Sequence, residues 1–149
     1  MKHQIPEEVM STAELLPLLE KHATPSVGER LELWAKALER HGGPLSALRR
    51  LEYLSADELR AYRGGNTPLT VAFNDPALRA AGIPGDSLGD VMDFFELSDR
   101  DAHWLLCDCH HVGTMTGDGL AKRLRHHARW AQFRAGWRQT FRRLLGWST

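Results

Sequence analysis

Two cysteines, one aspartate and two histidines occupy five consecutive positions, from Cys107 to His111, in a chain of 149 residues. Thiolate and imidazole groups suit Zn²⁺, which takes three protein ligands in catalytic sites and four in structural sites. A cysteine one helical turn from a histidine can instead act as a nucleophile. The stretch therefore allows three interpretations: a metal site, a reactive thiol, or the ordinary end of a helix.

Helical spacing decides which of these groups can meet. A helix that Ser98 caps and that extends to about Val112 has one apolar face and a separate polar strip. Cys109 falls on the apolar face, so we expect it to be buried and Cys107 to be the more reactive thiol. The polar strip comprises Asp99, His103, Cys107 and His110.

The glycine- and threonine-rich stretch that follows is typical of a turn, and Thr116 or Asp118 can cap the next helix. A helical hairpin there would bring His126 and His127 level with His103. We expect the protein to need no cofactor. The alternative expectation is that it binds zinc. The candidate zinc ligands are His103, Cys107, His110 and His127.

Thiol catalysis would make Cys107 the nucleophile, with His103 or His110 as its base. A helix C-terminus opposes negative charge, which disfavours a thiolate there. The same dipole favours protonated histidines near the last carbonyls, so His110 and His111 also fit a plain helix end at Gly113. The chain holds no G-x-S-x-G, H-E-x-x-H or GxxxxGK[ST] pattern, and we favour a non-enzymatic function.

The charges of the chain are divided along its length. Residues 1–119 carry all nineteen acids and eleven of the Lys and Arg residues, a net charge of −8. Residues 120–149 carry eight Lys and Arg residues and no acid, a net charge of +8. This division predicts an acidic helical body, 1–119, followed by a basic aromatic segment, 120–149, within the same domain.

The basic segment also holds three of the five tryptophans. At 100° per residue, five of its apolar residues fall in a stripe about 80° wide, with arginines beside it. The stripe comprises Trp130, Phe133, Trp137, Phe141 and Leu144. We expect the interaction residues to be Trp130, Phe133, Trp137 and Phe141 together with Arg134, Arg138 and Arg142.

This stripe has several possible destinations. Burying an aromatic side chain stabilises by roughly 1.5–3 kcal/mol, so we expect Trp137 to be buried against the body or a partner chain. The helix can be the final core helix, with its arginines paired to the acidic body. Trp and Arg are also enriched at interface hot spots, so a protein partner or a homo-oligomer is the next destination. A membrane surface also suits such a helix. The acidic body disfavours nucleic acid.

Helix starts recur along the chain as a serine followed three residues later by an acid. These pairs are Ser11 with Glu14, Ser26 with Glu29, Ser55 with Glu58, Ser87 with Asp90 and Ser98 with Asp101. Pro44, Pro68 and Pro76 fit first-turn positions, and Pro17 would kink a first helix. Leu45, Leu48 and Leu51 also have helical spacing.

No comparable window alternates with period two, so we predict an all-α fold: one compact domain of seven or eight mostly short helices, ending in a basic, aromatic amphipathic helix. The two cysteines are predicted to be free thiols, and the chain shows no signal or membrane segment, so we expect a soluble cytoplasmic protein. The expected function is a helical interaction or regulatory module that docks through its C-terminal helix. The alternative is a metal-binding or thiol-dependent protein centred on the helix at 99–111.

Overall fold

The computed structural model describes residues 24–146, which are mostly helical, and it confirms the all-α fold. Seven α-helices occur in this range: α1 Val27–Arg40, α2 Ala56–Ala61, α3 Pro68–Asn74, α4 Pro76–Ala80, α5 Leu88–Phe94, α6 Asp99–Leu106 and α7 Gly117–Leu144. They are joined by two 3₁₀ turns, Leu51–Tyr53 and Asp108–His110, and by two short strands, β1 Pro44–Leu45 and β2 Met115–Thr116.

Most helices begin where the local sequence predicts. Ser26 and Ser55 form capping boxes with the glutamates three residues later, and Ser87 and Ser98 each accept a hydrogen bond from the third backbone N–H that follows. Pro68 opens α3. Pro76 opens α4, which Asp75 caps. The predicted features at Ser11, Glu14 and Pro17 lie outside the described residues.

The prediction of a helix after Pro44 is wrong, because this segment pairs with distant backbone. Pro44 and Leu45 form β1, which runs antiparallel to β2. Leu48 forms a backbone bridge beside the end of α6, donating to the Leu106 carbonyl at 2.9 Å. Leu45, Leu48 and Leu51 are all buried, so the apolar pattern identified core residues but not their backbone conformation.

The core is built around α1. Trp34 is fully buried, stacks on Phe95 with ring centroids 4.5 Å apart, and donates its indole N–H to the Pro68 carbonyl at 3.1 Å. One side of α1 contacts α3 and the other lies against the first part of α7. Buried tryptophan with a satisfied N–H fixes the relative positions of these helices.

The first part of α7 packs closely on α1. A Cβ at Gly117 would lie 1.9 Å from the Leu38 carbonyl oxygen, so only glycine allows this approach. About two turns further along, Arg125 binds two carboxylates of α1, with contacts of 3.0 Å to Glu32 and to Glu39. This guanidinium lowers the pKa of both glutamates, and the fork ties the two helices together.

Candidate functional site

The helix that was expected to carry both cysteines and the nearby histidines, α6, is shorter than predicted. It ends at Leu106, where Cys107 turns to an extended backbone conformation. The backbone N–H of Asp108 donates to the Leu48 carbonyl at 2.9 Å, so pairing with a distant loop replaces the next helical turn. The expected helix to Val112 is therefore wrong beyond Leu106, and Val112 is exposed rather than in the core.

Each cysteine lies in the environment that was predicted for the other. Cys107 is fully buried and Cys109 is exposed. Burial, followed by the neighbouring Cys109, raises the pKa of the Cys107 thiol to about 12. The expectation of a buried Cys109 beside a more reactive Cys107 is contradicted, because the assumed helical phase does not continue past Leu106. Cys109 is the accessible thiol.

Four side chains from α6 and the residues that follow it lie close together, and we call them the Cys/His cluster: His103, Cys107, Cys109 and His110. The two sulfur atoms are 3.1 Å apart, and Cys109 Sγ lies 3.8 Å from His103 Nε2. His103 Nδ1 lies 3.0 Å from His110 Nε2. One donor atom from each of His103, Cys109 and His110 lies within 4.8 Å of the others. These are donor types that suit zinc.

Neighbouring histidines have other surroundings. The His111 ring lies 2.8 Å from the Leu105 carbonyl, and burial lowers its pKa. His127 is buried 3.9 Å from an Asp101 carboxylate oxygen, and burial lowers its pKa too. Of the predicted zinc ligands, the structure thus brings His103, Cys107 and His110 together, while His127 faces Asp101. Cys109 was missed because the helical wheel assigned it to the core.

The predicted hairpin is present. Thr116 caps α7, accepting a hydrogen bond from the Gly119 N–H at 3.2 Å. Helices α6 and α7 then line an open cleft of about 590 Å³, whose walls include His103, His126 and His127. The ring of His126 lies between Trp104 and Trp130, so the cleft leads directly onto the aromatic residues of α7.

The aromatic stripe of α7 lies on a part of the helix that leaves the body. Every residue from 129 to 146 is exposed. Trp137 retains 56% of its accessible surface, and neighbouring stripe rings touch along the helix with centroids 5.7–6.0 Å apart. Burial of Trp137 against its own body is therefore contradicted. The reason is length: α7 spans about 42 Å and α1 only about 21 Å at 1.5 Å per residue.

The stripe is flanked by positive charge. Arg134, Arg138 and Arg142 are exposed, and residues 129–146 contain five arginines and no acid. Among the described residues, the ion pairs of α7 involve Arg125 and His127, both in the part that packs on the body. Within residues 24–146, the body neither covers the aromatic rings nor pairs its carboxylates with these arginines.

Comparisons of the chain with models of protein families, with curated proteins and with solved structures found no match. In the range 24–146, no helix combines the length and hydropathy that crossing a membrane requires. The function must therefore be inferred from the Cys/His cluster and the aromatic stripe themselves.

Proposed function

We propose that this protein is a non-enzymatic helical docking module that associates through the aromatic stripe of α7, and that the occupant of the stripe is a second copy of the chain. The observation that carries the proposal is the exposure of the stripe: Trp130, Phe133, Trp137 and Phe141 each keep 50–56% of their surface in solvent. Exposed aromatic rings that form one continuous patch are typical of protein interfaces.

The spacing of the stripe supports self-association. Its residues lie at −7, −4, 0, +4 and +7 relative to Trp137, a palindrome. Two antiparallel copies related by a two-fold axis at Trp137 would face each other residue for residue. Trp137 would meet its own copy, Trp130 would lie level with Leu144, and Phe133 with Phe141. A two-fold interface requires such self-complementarity.

The width of the stripe favours a helix as the occupant. An apolar arc of about 80° resembles the narrow seam of paired helices, whereas a helix that packs on a broad surface has an apolar face wider than about 100°. Trp130, Trp137 and Leu144 are seven residues apart, the heptad spacing that keeps a seam facing a partner helix.

The rest of the described surface offers little to receive the stripe. Outside α7 and its C-cap Leu145, the exposed large hydrophobic side chains in residues 24–146 are Tyr53 and Val112. A second stripe is therefore the matching apolar surface that this part of the chain provides. Free thiols favour a reducing compartment, and a cytoplasmic location is proposed on that basis.

Charge favours the antiparallel direction. In this arrangement the arginines of one copy lie level with uncharged residues of the other: Arg134 with Thr140, Arg138 with Gly136 and Arg142 with Gln132. A parallel pair would instead place the two arginine-rich ends side by side, which is unfavourable.

The test is the mass of the purified chain in sedimentation velocity across a concentration series. We expect a reversible dimer of the 16.8 kDa chain. Trp137→Ala removes the central ring from both sides and should weaken dimerisation at least about thirtyfold, the cost of losing a hot spot of 2 kcal/mol. Gln139→Ala, on the opposite face of α7, is the matched control and should dimerise like the wild type.

Other occupants give other results. A chain that stays monomeric at all concentrations contradicts the proposal. If the monomer instead binds phosphatidylcholine–phosphatidylserine vesicles, and Trp137→Ala abolishes that binding, the occupant is a lipid surface. Raising the salt concentration should then weaken binding, because anionic lipids attract the arginines. A dimer that Trp137→Ala leaves intact places the interface elsewhere.

A further inference from the structure

We propose that the Cys/His cluster is a zinc site in which His103, Cys107, Cys109 and His110 are the four ligands. The inference is independent of the docking function, since it concerns the turn between α6 and α7 rather than the exposed helix face. Two thiolates and two imidazoles are a ligand set of structural zinc sites, in which the ion has no open position.

The backbone explains why these four side chains meet. His103 lies in the last turn of α6, and Cys107 leaves the helix one turn later in an extended conformation. The 3₁₀ turn at Asp108–His110 then reverses the chain toward α6. Backbone hydrogen bonds from the Leu48 loop hold the start of this turn, so the grouping does not depend on the side chains alone.

One donor atom each of His103, Cys109 and His110 lies within 4.8 Å of the others, and Cys107 Sγ lies 3.1 Å from Cys109 Sγ. Bonds of about 2.0–2.1 Å to nitrogen and 2.3 Å to sulfur place the ligand atoms of a tetrahedral zinc site about 3.3–3.8 Å apart. The 3.8 Å between Cys109 Sγ and His103 Nε2 lies in this range, and the two sulfurs, 3.1 Å apart, must separate slightly to share an ion. The 3.0 Å contact to His110 uses the other ring nitrogen of His103, Nδ1, so it does not measure a separation between two ligands of one ion. Each neutral imidazole supplies one nitrogen, and the exposed His110 ring can rotate to complete the set.

The partners of nearby groups single out the same four residues. His111 lies against the Leu105 carbonyl, and His127 faces Asp101. The polar contacts of the cluster's side chains are instead made mainly to one another, apart from Cys107 Sγ, which also lies 3.5 Å from an Asp108 carboxylate oxygen. Glu52 lies within reach of His103 and Cys107, but four nitrogen and sulfur donors complete the site without it.

Binding would release the two thiol protons to solvent as both sulfurs become thiolates. The bound ion would join the end of α6 to the turn that leads toward α7. Such a site is structural, because it would hold the hairpin that leads into α7 and would take part in no reaction.

The test uses the full chain, reduced and freed of metal, with two free thiols confirmed by titration. Zn²⁺ is titrated against a chromophoric chelator, and Co²⁺ is added separately to detect the visible bands of tetrahedral thiolate coordination. We expect one equivalent of either metal. Cys109→Ser and His110→Gln change exposed residues and should stay folded by circular dichroism. Each should weaken binding by more than the 10–100-fold that loss of an outer-shell partner costs.

His126→Gln is the matched control, because His126 lines the same cleft but lies outside the proposed ligand set. It should bind zinc like the wild type. The inference is overturned if the reduced, folded chain binds no stoichiometric metal. It is also overturned if Cys109→Ser and His110→Gln retain wild-type affinity, or if His126→Gln loses as much affinity as they do.

Discussion

The two halves of α7 belong to one continuous helix but have opposite surroundings. In residues 117–128, the packed half, the buried residues apart from His127 are small or aliphatic, including Gly117, Ala121 and Leu124, and they lie against the body. In residues 129–144, the exposed half, the stripe carries large aromatic rings that face solvent. The more strongly apolar surface is thus the less buried one. Burial within one chain depends on whether a neighbouring element is long enough to reach.

Charge separates the two halves as well. Arg125 of the packed half is held between Glu32 and Glu39 of α1. The arginines of the exposed half extend along a helix that has passed the end of α1. The packed half makes contacts within the chain, and the exposed half is proposed to contact another molecule. We therefore expect mutations in the two halves to have different effects.

The largest effect is expected at the centre of the packed half. Leu124 is fully buried, and Leu124→Ala should lower the free energy of unfolding by about 2–5 kcal/mol through lost burial and the cavity left behind. Phe133→Ala in the exposed half should change the stability of the monomer by no more than about 0.5 kcal/mol. Urea unfolding at a concentration where the chain is monomeric measures both. Equal losses of unfolding free energy in the two variants would show that the two halves of α7 contribute alike to the fold.

Two glycines of the same helix give a matched pair with opposite signs. Gly117→Ala pushes a methyl group into the Leu38 carbonyl and should destabilise by about 1–3 kcal/mol. A Cβ at Gly136 meets nothing within 4 Å, so Gly136→Ala should stabilise the helix by about 0.5–1 kcal/mol. Thermal unfolding compares them directly. A stabilising Gly117→Ala would show that α7 does not approach α1 so closely.

The arginine fork should give a smaller, pH-dependent effect. Arg125 lowers the pKa of Glu32 and Glu39 below their ordinary value of 4.5, so the fork stabilises the fold above that pH. Its contribution is lost as the pH falls through the lowered values. Arg125→Gln should reduce the urea midpoint at pH 7, by less than Leu124→Ala, and match the wild type in acid. A difference that persists in acid would assign the loss to packing of the side chain.

Removing the exposed half should have the smallest effect on the body. A chain that ends at Ala128 keeps the buried residues of α7, including Leu120 and Leu124, and loses residues of which those described are exposed. Its unfolding should remain cooperative, with a free energy within about 1 kcal/mol of the monomeric full chain. Calorimetry and circular dichroism check this. Loss of cooperative unfolding would mean that the exposed half supports the core.

Local chemistry made much of the fold predictable. The serine caps at Ser26, Ser55, Ser87 and Ser98 depend on contacts three residues apart, which a sequence displays directly. The backbone near Leu48 was mispredicted because its hydrogen bonds go to the end of α6, far along the chain. Apolar spacing marked the right core residues there, since burial does not require a helix.

The candidate sites were predictable in part for the same reason. Residue types pointed to His103, Cys107 and His110, but the environments of the two cysteines depend on where α6 ends. That end is set by pairing with Leu48, which no local signal shows. The stripe of α7 was visible on a helical wheel. Its exposure was not, because a wheel carries no information about the length of α1.

The proposed dimer requires that the palindromic stripe pair with itself in an antiparallel direction. The most direct test mixes Phe133→Cys and Phe141→Cys chains under mild oxidation, at a concentration well above that needed for wild-type dimerisation. Peptide mapping by mass spectrometry then identifies the crosslinks, with Gln132→Cys and Gln139→Cys on the opposite face as the control pair. An antiparallel dimer gives disulfides that join position 133 of one chain to position 141 of the other. Crosslinks that join 133 to 133 and 141 to 141, or none above the control pair, would contradict it.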